Sequence, residues 1–453
     1  MKKINKILVL TFLIVIMLFT SGCEAEPLSL SSIKDEAVIS MPISKDINSG
    51  VQLTEPPRFY SFEGNELGSL EIKRLVLTPS ENPSHGIGIT FNMDHKLQDV
   101  SIIVIDEDKQ FVDEFGIDIS NLQIDDDGKM KELYIYKTTI TELEALSTYQ
   151  FAIKSNNDYS KLYEITTLSE SEPTIMAFFG DTQGYKLSQY ENFRITYEKA
   201  IDVVGQIYIK VDMAGTDKIG ISYIAGDIVD RGDSWDQWGF LDEAMAGYMS
   251  NAMFVTTIGN HDVKQSPDIY THTFNYPENG IDGGSERSYY FDLPYGRVAV
   301  WDSEAISTFE EQSQWLLDIM SQDEVGFKLV LMHRSAYPMA YDEGHIRRLS
   351  EVFEKAEIDL VLSGHDHIYS RTTMFQDKQV PIDKGVTYIV GGSSTGSKFY
   401  DTLQQEKRYW KNISFDGDYP VFTLLNIGET SIQVNAYAIE DEVALIDHFE
   451  ITK

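Results

Sequence analysis

Five apolar runs between residues 175 and 363 each stop at a short polar segment, and this rhythm constrains the fold more than any other feature of the chain. The runs cover 175–179, 220–225, 253–258, 328–332 and 360–363. They close on Gly180-Asp181-Thr182-Gln183, Gly226-Asp227-Ile228-Val229-Asp230-Arg231-Gly232, Gly259-Asn260-His261-Asp262, Met332-His333 and Gly364-His365-Asp366-His367. Stretches of helical periodicity lie between them, at 190–207, 234–249, 310–320 and 344–355. Strand, polar segment and helix repeated in this way predict a layered α/β domain with the polar segments gathered at the C-terminal ends of the strands. Further strands at 386–390, 421–427 and 432–439 are expected to complete a second sheet.

The polar segments share a chemistry. Together they offer carboxylates, amide oxygens and imidazoles, the donor types that hold hard or borderline divalent cations. A two-cation centre needs one carboxylate able to bridge ions roughly 3.5–4 Å apart, with further oxygens and imidazoles closing each shell. A pure magnesium or calcium site would use fewer histidines, so Mn, Fe, Zn or Co are the expected ions. A single Gly-Asp or His-x-His pair arises by chance in a long chain, but five such segments in order, each behind a strand-like run, do not.

In that order the segments resemble the motifs of the calcineurin-like metallophosphoesterases, and 364–371 is most similar to the purple acid phosphatase branch. The resemblance implies a four-layer α/β/β/α sandwich over 172–453, acting on a small phosphorylated substrate. It implies Asp227 as the bridging carboxylate, with Asp181, Gln183 and His367 around one metal and Asn260, His333 and His365 around the other. His261 then protonates the leaving oxygen or stabilises the transferring phosphoryl group. Asp262 is expected to orient His261, and Arg231 resembles a phosphate-contacting arginine of related protein phosphatases. Two positions depart from the pattern. Asp230 stands where the purple enzymes carry the tyrosine whose phenolate colours ferric iron, which implies a colourless divalent pair. Gln183 stands where most relatives carry His or Gly.

Upstream, the pattern changes. Short alternating segments around 75–77, 87–91, 100–105, 133–136 and 149–153 predict an antiparallel β-sandwich over 58–168, and its motifs resemble the fibronectin-type domain that precedes the catalytic domain in purple acid phosphatases. Asp125-Asp126-Asp127-Gly128 reads as a hairpin turn rather than a calcium loop, because the alternating acids and distal Glu of an EF-hand are absent. Residues 24–57 are polar and aperiodic, as a tether would be. At the N-terminus Lys2, Lys3 and Lys6 precede an apolar run at 7–19, the pattern of a secretory signal. Cys23, the sole cysteine, follows it and resembles a lipobox cysteine, with Thr20 where that pattern prefers Leu. The reading is therefore a signal peptide at 1–23 and a lipid-anchored protein at a bacterial cell surface, with ordinary cleavage and secretion as the alternative.

A formal charge of −35, without Lys/Arg clusters, excludes nucleic acid as a partner. It also means that an anionic substrate must be drawn in by local cations. Three functions fit the motifs: phosphomonoester hydrolysis through metal-bound hydroxide, phosphodiester hydrolysis at the same centre, and a non-catalytic surface binding module. Substrate choice would lie in loops such as 264–287.

Overall fold

The computed structural model describes residues 61–62, 65–66, 68–106, 111–126, 128–208, 218–264, 268–282, 286–322, 325–340, 343–400, 410, 413–415 and 417–453. The signal segment, Cys23 and the polar stretch 24–57 lie outside them. Among the described residues the strands form sheets of ten, eight, five and two strands. No described helix is long and apolar enough to cross a membrane.

Two of these sheets face each other and carry the five motifs. In the ten-stranded sheet Thr174–Phe179, Ile221–Ile224 and Met253–Thr256 run parallel, and Val421–Ile427, Ser431–Ile439 and Val443–Thr452 continue it antiparallel from the Thr174 side. The eight-stranded sheet has Gly296–Trp301, Phe327–Met332, Leu360–Ser363 and Val386–Gly391 in parallel. Strand alternation sorts its side chains. Val298, Val300, Leu329, Leu331, Leu360 and Leu362 enter the core between the sheets, while Trp301, Val330, Met332 and Val361 pack outward on the helices Phe309–Met320 and Ser350–Lys355.

The ten-stranded sheet shows the same division. Phe179 meets Phe193 and Tyr197 of the helix Leu187–Tyr208 on the outer face, and Phe178 stacks on Tyr223 on the inner face. The Tyr223 hydroxyl donates across to the Met332 carbonyl at 3.1 Å, just beneath the His333 motif. The four-layer α/β/β/α order follows directly from these contacts. The 344–355 stretch is two short helices, Gly344–Arg347 and Ser350–Lys355, rather than one.

The N-terminal strands are not set apart from this architecture. Lys73–Pro79, Ile87–Met93, Lys129–Ile140 and Asp118–Asp126 extend the ten-stranded sheet, because Leu77 pairs in parallel with Met253. A five-stranded sheet built around Val100–Ile105 and Thr148–Ser155 covers them. Ile102, Val104, Phe151 and Ile153 from it share one core with Ile89, Phe91 and Ile135. The Asp125 carboxylate accepts the Gly128 amide at 2.7 Å, closing a hairpin between Asp118–Asp126 and Lys129–Ile140.

Candidate metal centre

All five motif segments meet at the C-terminal ends of the parallel strands of both sheets. Glycine precedes the ligand wherever backbone must pass close to a carboxylate. A Cβ on Gly364 would collide with Asp181 Oδ1, and one on Gly259 with the backbone and carboxylate of Asp227. Three of the ligand candidates are themselves held in left-handed backbone, at φ 44° for Asp227, 68° for His365 and 47° for His367. Non-glycine residues hold such angles only where surroundings over-determine them, as at functional sites. Amides supply part of that determination: His261 N donates to Asp227 Oδ1 at 2.7 Å, and His365 N to Asp181 Oδ1 at 2.7 Å.

Seven ligand candidates fall into two groups around Asp227. On one side His367 Nε2 lies 2.9 Å from Asp181 Oδ2 and 2.9 Å from Gln183 Oε1. On the other, His333 Nε2 lies 3.2 Å from Asn260 Oδ1 and 3.4 Å from Asp227 Oδ1. Ligand atoms of Asp227, His333 and His365 all fall within 4.8 Å of one another. These residues fit a pair of cations. Asp181 is buried, with Oδ1 held by the His365 amide and Oδ2 2.9 Å from His367 Nε2, so Oδ2 faces an imidazole at a place where one cation would bind both.

Electrostatics point the same way. Burial would raise Asp227, yet His333 and His261 hold its carboxyl well below the usual range. Burial would lower His333, but the Asp227 and Asp181 charges push it up to about 10, and His367 is raised against burial by Asp181. Without cations these imidazoles take up protons to balance buried acid, so metal uptake must displace protons.

His261 is beside the two groups. Its Nδ1 donates to the Asp230 carbonyl at 2.7 Å and lies 3.3 Å from the Asp230 carboxylate, and the Lys264 ammonium is also adjacent. Its Nε2 faces inward, 3.4 Å from Gln183 Nε2 and 4.0 Å from Asp227 Oδ2.

Two expectations are corrected here. Asp262 does not orient the His261 ring; its buried carboxylate accepts the amides of Ile228 at 2.9 Å, Val229 at 3.2 Å and Gly259 at 2.9 Å, tying two ligand loops together. Burial and the Asp227 charge push its pKa up. The sequence signal for its role is its neighbour Gly259, which leaves room for the loop to fold back. Arg231 does not point into the site. Its guanidinium is 52% exposed and pairs with Asp233 through Nε at 3.2 Å and Nη2 at 2.8 Å, which raises its pKa.

Other residues at the site were not legible in the motifs. Asp230 takes the part expected of Asp262. Glu343 Oε1 lies 3.1 Å from His365 Nε2, and burial, which would raise that carboxyl, is outweighed by His365 and Arg334, which hold it at about 2. Arg334 follows His333 directly, whereas nothing in the sequence marks Glu343. The Tyr400 ring is 4.5 Å from that of His367. Histidines outside the motifs make local contacts, such as His85 with the Leu143 carbonyl and His448 with Asn435.

This chain matches the family model for calcineurin-like phosphoesterase over residues 176–369. Those residues are a calcineurin-like phosphoesterase domain. Every metal-ligand candidate named above lies within this phosphoesterase domain. The chain is 25% identical over 279 residues to a purple acid phosphatase of Glycine max, 58% of each protein. It is 24% identical over 307 residues to the Fe(3+)-Zn(2+) purple acid phosphatase 12 of Arabidopsis thaliana, covering 61% of this chain and 63% of that protein. The matched stretch thus spans about three fifths of these relatives' length. Among solved structures, the purple acid phosphatase PPD1 of yellow lupin superposes with a TM-score of 0.66 at 15% identity, over 86% of this chain and 76% of that one. A PhoD structure superposes with a TM-score of 0.57 at 12% identity, over 85% of this chain and 91% of that one. The phosphoesterase domain therefore sits in a purple acid phosphatase-like fold.

Proposed function

We propose that this protein is a metal-dependent phosphoric ester hydrolase, a phosphomonoesterase with a dinuclear centre, anchored at a bacterial cell surface. The observation that carries the reading is the meeting of Asp181, Gln183, Asp227, Asn260, His333, His365 and His367 at one end of two facing sheets, with the His261 ring beside them. The phosphoesterase family match and the purple acid phosphatase relatives support ester hydrolysis.

Asp181, Gln183 and His367 would hold one cation, Asn260, His333 and His365 the other, and Asp227 both. When bound, the pair supplies Lewis-acid polarisation of the phosphoryl group and lowers the pKa of attacking water. The chain's own part is positional. The Asp230 carbonyl accepts a hydrogen bond from His261 Nδ1–H, so a protonated His261 has Nε2–H left to give to the leaving oxygen. Residue 230 is an aspartate beside His261 and offers no phenolate to a metal, which supports a colourless divalent pair drawn from Mn, Fe, Zn or Co.

The two facing sheets of the N-terminal region support the fibronectin-type reading of 58–168. The basic and apolar N-terminus with Cys23 supports lipid anchoring, with secretion as the alternative. Cys23→Ala should release the protein from the membrane fraction or block signal processing; fully processed protein retained on the membrane would refute the anchor.

Metal-stripped protein reloaded with Mn, Zn or Fe should hydrolyse an aryl phosphate monoester faster than the bis-aryl diester. The opposite order would make the protein a diesterase. Hydrolysis of neither, with two metals bound, would favour a binding module.

A further inference from the structure

Three imidazoles are candidates for the two metals, and they are anchored in two different ways. His333 donates Nδ1–H to the Ala225 carbonyl at 2.7 Å and aims Nε2 at Asn260 and Asp227. His367 donates Nδ1–H to the Lys398 carbonyl at 2.9 Å and aims Nε2 at Asp181 and Gln183. His365 is reversed, with Nε2 3.1 Å from the Glu343 carboxylate. A ligating imidazole gives one nitrogen to the metal and anchors the other on a carbonyl or carboxylate, which sets tautomer, ring orientation and basicity.

Glu343 is itself held firmly. Its side chain is 12% exposed, and its carbonyl accepts the Ile346 amide at 2.9 Å at the start of Gly344–Arg347. Arg334 bridges it to a second carboxylate. The guanidinium grips Glu304 through Nε at 2.6 Å and Nη2 at 3.1 Å, while Nη1 bonds Glu343 and lies 3.4 Å from His365 Nε2. The frame beneath is tied as well, because Arg334 N donates to Ser303 Oγ at 3.0 Å and Glu304 N to Asp302 Oδ1 at 2.9 Å.

Building on the dinuclear reading above, we propose that Glu343 is a positioning residue for one metal only: it accepts the Nε2 proton of His365, turns Nδ1 to the cation shared with Asn260 and His333, and is clamped by Arg334 and Glu304. A carboxylate anchor makes the imidazole more basic than a carbonyl anchor does, so the two metals differ in ligand strength through a residue outside all five motifs. Arg334 offsets the added negative charge and keeps Glu343 from turning to the cation itself.

The test is cobalt titration of metal-stripped protein, following visible absorption and bound metal. The parent should take up two equivalents. Glu343→Ala should keep one at parental affinity and weaken the other about tenfold to a hundredfold. Glu343→Gln, which retains an acceptor oxygen, should recover most of that loss, and a rescue of this kind would not follow if the residue only supported the fold. Parental affinity and spectrum at both sites in Glu343→Ala would overturn the proposal, as would equal weakening at both. A parent that takes up a single cobalt would overturn the proposal and the dinuclear reading together. Ester hydrolysis plays no part in this readout, so a silent parent binding two cobalts would count against the hydrolase reading alone.

Discussion

The metal centre and the seam where the N-terminal strands join the phosphoesterase domain both bury charge, and they balance it differently. At the seam each buried charge has a partner of opposite sign. Lys137 bonds Glu286 and the Thr271 carbonyl, and Arg74, stacked 3.2 Å over the Trp235 ring, offsets part of the rise that burial imposes on Asp242. At the centre Asp181, Asp227 and Asp262 are all buried, and their nearest positive charge comes from histidines that must first take up protons. Paired buried charge serves structure, whereas buried acid in excess is a standing demand for cations.

The sharpest way to break this comparison is Asp227→Ala. On the dinuclear reading proposed above, it should abolish activity and lose both metals while the chain still folds, because Asp227 would be the one acid to hold both cations. Metal analysis that finds two equivalents retained would show that the excess acid is not there for cations.

Next in size is His261→Gln, which should separate the chemistry from the charge balance. Metal content should match the parent, and kcat should fall by about a hundredfold to ten-thousandfold. The loss should be smaller for aryl than for alkyl phosphates, since a phenolate leaves with little help from a proton. Undiminished turnover of alkyl phosphates by a variant with two metals would place the proton donor elsewhere.

The smallest effect belongs to the seam. Burial, opposed by Arg74 and aided by Glu243, raises Asp242 to about 6. A carboxyl raised in the folded state binds its proton more tightly there than when unfolded, so its unfavourable contribution appears as pH rises from about 4 through about 6. Asp242→Asn should therefore raise stability above pH 6 by about 1 kcal/mol, less than the whole shift because Arg74 loses its charged neighbour, and change nothing below pH 4. A denaturant midpoint that rises equally at both pH values would rule out titration as the cause.

Much of the fold was legible because its signals are local. A buried parallel strand reads as an apolar run, and a glycine before Asp227, Asn260 or His365 marks close backbone approach. The alternating N-terminal strands and the turn at Asp125 were legible for the same reason. Strands such as Gly296–Trp301 and Val443–Thr452 went unread, since nothing chemical marks where they end.

By itself the sequence determined the order of strand and motif, the donor types and the candidate ligand residues, all of which are properties of short windows. Only the tertiary structure decided what depends on distant segments meeting. The Leu77–Met253 pairing merges the N-terminal strands with the phosphoesterase sheet. Asp230 contacts His261 while Asp262, next to it in the chain, turns into the protein to cap backbone amides. Glu343 reaches His365 from a loop that no motif marks. A side chain's partner is set by where the backbone directs its Cβ and by which other loop folds beside it, and neither is written in the spacing of residues along the chain.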